Sequence, residues 1–103
     1  MEKKLKKFLE EAKDWKMMKT TEPGVFIRKI PSTKNRPASL AIEINPPDKS
    51  GNPTKKTGVM VRNLHELKVF REILSKEILD EVMDTILKIA PHQEQEEEEV
   101  LEI

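Results

Sequence analysis

The sequence predicts an α+β domain built from an N-terminal helix, a three-stranded antiparallel meander, a long C-terminal helix and a disordered acidic tail. Three observations predict it. Apolar residues recur at three- and four-residue steps near both ends of the chain. Between them lie short β-branched segments separated by connections rich in Gly, Pro, Asn and Asp. The order helix, strands, helix then places helices against one face of an antiparallel sheet.

Leu5, Phe8, Leu9, Ala12, Trp15 and Met18 or Lys19 predict a helix over Lys3 to Lys19, apolar on one stripe and Lys/Glu on the other. Thr20-Thr21-Glu22-Pro23-Gly24 ends it, because Pro biases its predecessor away from helix and Gly accepts turn geometry. Val25 to Ile30 reads as the first strand, Leu40 to Ile44 as the second and Val59 to Arg62 as the third. The connection from Pro31 to Ser39 carries Lys34 and Arg36, and that from Asp48 to Gly58 carries Lys49, Lys55 and Lys56. Asn63-Leu64-His65-Glu66 has the form of a capping box, so the long helix begins there. Leu67, Phe70, Leu74, Ile78, Val82, Ile86 and Ile89 continue it until Pro91. Within it Leu79, Val82, Ile86 and Ile89 follow a/d spacing for about two heptads, the pattern of a helical dimer contact. Residues 1–90 therefore form one domain ending in an assembly helix. Residues 91–103, Gln/Glu-rich and poor in apolar surface, form the disordered tail. Its apolar end, Val100-Leu101-Glu102-Ile103, suits docking on a protein partner.

Charge divides the chain. Met1 to Arg62 holds 15 Lys/Arg against 7 Asp/Glu, and the remainder holds 4 against 12, so a neutral total hides a basic front and an acidic rear. A polyanion-binding front is the functional class this asymmetry indicates. Charged residues are 37% of the sequence and mostly Lys and Glu, the bias of thermophile proteins. With no cysteine and no apolar run of membrane-spanning length, a cytoplasmic or nucleoid-associated protein is expected.

Catalysis is poorly served. The chain has no Cys or Tyr and only two His, His65 and His92, so no nucleophile–base pair and no metal or other cofactor site is expected. Gly51 to Thr57 lacks the Gly-Lys step of a phosphate loop, and Glu77, Asp80, Glu81 and Asp84 read as a solvated helix face.

Strand alternation puts Val25, Ile27, Leu40, Ile42, Ile44, Val59 and Val61 on one face, expected to be core. The other face carries Phe26, Arg28, Ile30, Ala41, Glu43, Met60 and Arg62. Two readings of it stand side by side. It is a platform on which bases stack while Lys and Arg track phosphates, or Phe26, Ile30 and Met60 form a second core layer touching Phe8 or Trp15. The basic loops, if clustered around one edge, would make an electrostatic footprint; a lysine-rich thermophile surface is the plain alternative.

Ile42-Glu-Ile-Asn-Pro-Pro, the Gly51-x-Pro-x-Lys-Lys-x-Gly58 hairpin, Val59-Met-Val-Arg and Glu66-Leu67…Phe70-Arg71 resemble the archaeal ThermoDBP-type single-stranded DNA-binding proteins. The layout is also similar to that of the positive-cofactor transcriptional coactivators. The resemblance covers about half the chain and lies in layout more than identity. It implies a basic, partly apolar cleft for single-stranded DNA formed by Arg28, Arg36, Lys55, Lys56 and Arg62, with Phe26 or Trp15 for stacking. It also implies a homodimer or higher homo-oligomer assembled through Leu79, Val82, Ile86 and Ile89. The expected function is non-enzymatic, largely sequence-independent binding of single-stranded DNA. RNA binding, a coactivator role and a protein-interaction module are the alternatives.

Overall fold

Backbone hydrogen bonding in the computed structural model, which describes residues 1–91, gives seven elements among the described residues. They are α1 (Glu2–Glu11), β1 (Met17–Lys19), β2 (Val25–Ile30), β3 (Ser39–Ile44), β4 (Val59–Val61), α2 (Leu64–Leu74) and α3 (Ile78–Ile89). The architecture is α+β with one antiparallel sheet in the order β1-β2-β3-β4. The expected tail lies, from residue 92 onward, outside the described residues.

Two elements differ from the sequence expectation. The first helix is shorter: Ala12 is already extended, with its N–H on the Phe8 carbonyl, and Met17, Met18 and Lys19 pair with Arg28, Ile27 and Phe26 as a fourth strand. The Trp15 N–H donates to the Lys29 carbonyl at 2.8 Å and the Lys29 N–H to the Lys16 carbonyl at 2.9 Å, extending that pairing. Helical spacing of Trp15 and Met18 is outweighed here by ladder hydrogen bonds on the otherwise open edge of β2. The long C-terminal helix is two helices, broken at Ser75–Glu77. Ser75 turns its hydroxyl onto the Glu72 carbonyl at 2.8 Å, competing with helix continuation.

The chain divides into two units, Met1–Val69 and Phe70–Ile103. In the first, β3 is the spine: it pairs with β2 from Val25↔Ile44 to Ile30↔Ser39 and with β4 from Ile42↔Val61 to Ile44↔Val59. Asn63 caps α2 by accepting the Glu66 N–H at 2.8 Å, while the Glu66 carboxylate reaches back to the Arg62 N–H, one residue before the expected partner. In the second unit, Ile78, Leu79, Val82, Met83, Ile86 and Ile89 of α3 are all exposed.

The core draws on both faces of the sheet, Val61 from the face expected to be core and Phe26, Ile30 and Ala41 from the other, where the second-core-layer reading holds for Phe26 and Ile30. The buried apolar residues are Phe26, Ile30, Ala41 and Val61, joined by Lys29, Glu43 and Asn45. Phe26, Ala41 and Glu43 belong to the face expected to be open, whereas Ile44 and Val59, on the face expected to be core, are 38% and 47% exposed. Leu5 of α1 meets Ile27, Leu40, Ile42 and Val61 around a shallow hollow of about 320 Å³ on that second surface, so α1 covers it only in part. The face with Phe26 is closed instead by polar chemistry. Asn45 Nδ2 donates to Glu43 and to the Lys55 carbonyl, its Oδ1 accepts the Lys55 N–H, and the Gly58 N–H donates to Glu43 at 3.2 Å.

Gly58 is where this closure is tightest. A Cβ there would meet the Ile44 carbonyl oxygen and lie 2.9 Å from Glu43 Cγ and 3.0 Å from Asn45 Cβ. Gly58→Ala is expected to destabilise the fold by about 2 kcal/mol in urea denaturation; an unchanged midpoint would show that the approach of this strand to β3 is not needed.

Candidate functional site

Arg28, expected to face phosphates, is committed elsewhere. Its Nε and Nη2 donate to Glu43 Oε1 at 2.8 and 2.5 Å, its Nη1 to the Trp15 carbonyl at 2.8 Å, and its Nη2 also meets Met17 Sδ. Among the described residues this is the one ion pair. Phe26 is 1% exposed, which removes it as a base-stacking ring and assigns it to the core. Both corrections have one cause: the acid opposite Phe26 in the ladder, Glu43, is buried and draws Arg28 and the following loop onto this face.

Burial by itself would raise the Glu43 pKa. Hydrogen bonds from Asn45 and Arg28, the charge of Arg28 and the Gly58 N–H together hold it below the ordinary glutamate value of 4.5.

The remaining candidates are exposed, on connections whose backbones are tied down. Thr33 and Arg36 exchange backbone hydrogen bonds of 2.8 and 3.4 Å, making a tight turn that presents Lys34 and Arg36. The Pro46–Lys55 connection is a second small hairpin: Pro47 bridges Pro53, the Thr54 N–H donates to the Pro46 carbonyl, and Asp48 Oδ1 accepts the N–H groups of Ser50 and Asn52. Gly51 completes its tip at φ 81°. Lys49, Lys55 and Lys56 project from this hairpin into solvent, and Lys19 Nζ reaches the Ser50 carbonyl.

The two basic connections do not cluster around one edge, so the condition for a single electrostatic footprint is not met. Consecutive connections of an antiparallel meander leave opposite ends of the shared strand, so Lys34 and Arg36 stand at one end of β3 and Lys49, Lys55 and Lys56 at the other. Six residues of strand separate them by about 20 Å. Arg62, exposed after β4, and Trp15, hydrogen-bonded to Lys29, lie toward the Lys34 end.

Trp15 is 52% exposed and has φ 66°. The left-handed region costs a non-glycine residue about 1–2 kcal/mol, so the surroundings must hold it. Lys29 accepts its N–H and Arg28 donates to its carbonyl, fixing the backbone while the ring stays in solvent.

Sequence reasoning missed Glu43 and Asn45 as the groups that position the basic hairpin. The available signal was the register of alternation, which places Glu43 on the face of Arg28. No group of three or more His, Cys, Asp or Glu able to hold a metal ion occurs among the described residues, and no described helix is long and apolar enough to cross a membrane.

Glu43→Gln is expected to lower stability at pH 7 by about 2–3 kcal/mol, since it leaves Arg28 without its anion. Because the folded pKa of Glu43 is depressed, the wild-type advantage is complete above 4.5 and declines as pH falls below it towards the folded value. Urea denaturation across that range checks this: the wild type and Glu43→Gln should converge in acid, and a constant gap would exclude Glu43 as the titrating group. The chain matches no family model, no curated protein and no solved structure.

Proposed function

We propose that this protein binds single-stranded nucleic acid, DNA foremost, without strong sequence preference and without catalysing a reaction, and that it works as an oligomer assembled through α3. The observation that carries the proposal is the condition of its cations. Among the described residues Arg28 alone is ion-paired, whereas Lys34, Arg36, Lys49, Lys55, Lys56 and Arg62 are exposed. The one acid in the longer basic connection, Asp48, spends a carboxylate oxygen on its own turn. Such cations attract a polyanion and release its counterions on contact. Cytoplasmic or nucleoid-associated placement and a thermophilic, archaeal origin accompany this reading.

Assembly is supported by α3. Its exposed apolar residues run from Leu79 at 39% to Ile89 at 79%, on a helix whose opposite face carries Asp80, Glu81 and Asp84. An amphipathic helix of this kind buries its stripe against another surface, and a second copy satisfies the stripe with the same stripe. The seam is short, about two heptads, so other surface must contribute.

Titration of a labelled oligo-dT at several salt concentrations tests the binding, with duplex DNA and RNA of matched sequence as comparators. Affinity should fall steeply with salt and be highest for a single strand; salt-insensitive binding, or a preference for duplex, would overturn the proposal. Lys55→Glu with Lys56→Glu should weaken binding to all sequences alike, by tenfold or more, reducing the slope of log K against log salt by about 1.4 or more. For assembly, Val82→Glu with Ile86→Glu should shift the light-scattering mass to that of the monomer; an unchanged oligomer would place the contact off this stripe.

A further inference from the structure

Between α1 and β1 lies a hollow of about 490 Å³ that no candidate named from sequence lines. Half-buried Phe8, Ala12 and Met18 form its floor. Lys4 and Lys7, one turn apart on α1, and Lys13 and Lys16, from the turn into β1, form an exposed rim. Glu11 is the single acid in the lining, and none of these five charged groups is ion-paired among the described residues. The rim is held in shape: the Lys16 N–H donates to the Lys13 carbonyl at 3.1 Å, and the Lys16 carbonyl accepts the Lys29 N–H at 2.9 Å. Lys29 Nζ itself bonds the Leu9 carbonyl, fixing α1 to the sheet beside the hollow.

Four cations around one aromatic ring suit a ligand in which each anionic group is tethered to a flat ring. That is the chemistry of a nucleotide. A duplex keeps its base faces stacked inside, so the ring and thioether on this floor select an unpaired strand. With Phe26 buried, Phe8 is the aromatic side chain set in a hollow that is open to solvent and lined with lysines. The volume lies within the range of small-ligand clefts, about 300–1,000 Å³.

We propose that this hollow is a nucleotide subsite in which Lys4, Lys7, Lys13 and Lys16 neutralise phosphates of a single strand while Phe8 and Met18 contact one of its bases. The inference rests on the single-strand reading above and says where a base is held.

The test uses the full chain, a fluorescein-labelled oligo-dT and the same strand carrying 5-iododeoxyuridine for photocross-linking read by mass spectrometry. Lys7→Gln with Lys16→Gln, both exposed and outside the core, should lower affinity about tenfold at moderate salt and reduce the slope of log K against log salt by about 1.4. Phe8→Leu, which keeps an apolar floor, should cost about tenfold in affinity and leave the salt slope unchanged. The cross-link should fall between Lys4 and Met18. Wild-type affinity in both variants, with loss confined to Lys55→Gln/Lys56→Gln, overturns the subsite and leaves the single-strand reading standing. Absence of oligo-dT binding by the wild type overturns both. If the lysine variant loses a poly-glutamate peptide but keeps the oligonucleotide, the hollow is an acidic-peptide site and the nucleotide assignment is overturned.

Discussion

The Arg28–Glu43 pair is the interaction on which the sheet depends. Glu43 sits on the spine strand with 0% exposure, and an uncompensated carboxylate there would cost several kcal/mol. Arg28 supplies the charge and spans β2 to the Trp15 carbonyl, so the same guanidinium holds the β1 end of the sheet. The second Glu43 oxygen takes the Asn45 amide and the Gly58 N–H, which ties the approach to β4 and the intervening hairpin to the same point. No buried side-chain polar atom is left without a partner among the described residues. Four strands and one long connection thus converge on a single carboxylate, in a unit whose buried apolar residues number only Phe26, Ile30, Ala41 and Val61. A core that small gives packing alone little authority over register, and the polar network supplies the specification.

That network also explains why the face expected to be open is closed around Phe26, so that the sheet is buried from both sides. Alternation shows which residues share a face, and it did so correctly for Phe26, Arg28, Ala41 and Glu43. It does not show which face is covered. An Arg and a Glu on one side of a strand pair read as solvent-facing until their register is known; Arg28 opposite Ala41 and Glu43 opposite Phe26 place the two charges diagonally, within reach of each other. Once they satisfy one another, Phe26, directly opposite Glu43, can be buried beside the pair, while on the aliphatic face the exposure is confined to Ile44 and Val59 where β3 and β4 meet.

Other features were legible to different degrees, for local reasons. The three strands from Val25, Leu40 and Val59 stand where alternation and turn residues put them, and the Asn63 cap is where the Asn-x-x-Glu spacing puts it. β1 was not legible, because Met17-Met18-Lys19 has no alternation of its own and becomes a strand only through the edge of β2. The break at Ser75–Glu77 contains neither Gly nor Pro, so periodicity runs through it unmarked. Of the candidate site, the exposure of the loop cations was readable from composition. Their separation to opposite ends of β3 follows from topology, which acts at a scale that spacing along the chain does not report.

The identity of the cations bears on selectivity. Of the three arginines in the basic front, Arg28 is consumed by Glu43, leaving Arg36 and Arg62 among a surface of lysines. Reading base edges relies on planar, bidentate donors, which Arg provides and Lys does not. Lysine ammonium groups act as point charges and suit phosphates, whose arrangement is the same for every sequence. For the proposed single-strand binding, the ion pair that builds the sheet therefore also lowers its capacity to discriminate bases: fixing the fold withdraws a guanidinium from the surface, and affinity is left to groups that recognise the backbone. Under that proposal residual preference is left to Arg36, Arg62 and stacking through Trp15 and the ring set among the α1 lysines, and stacking ranks bases by the area of their faces rather than by the pattern of their edges.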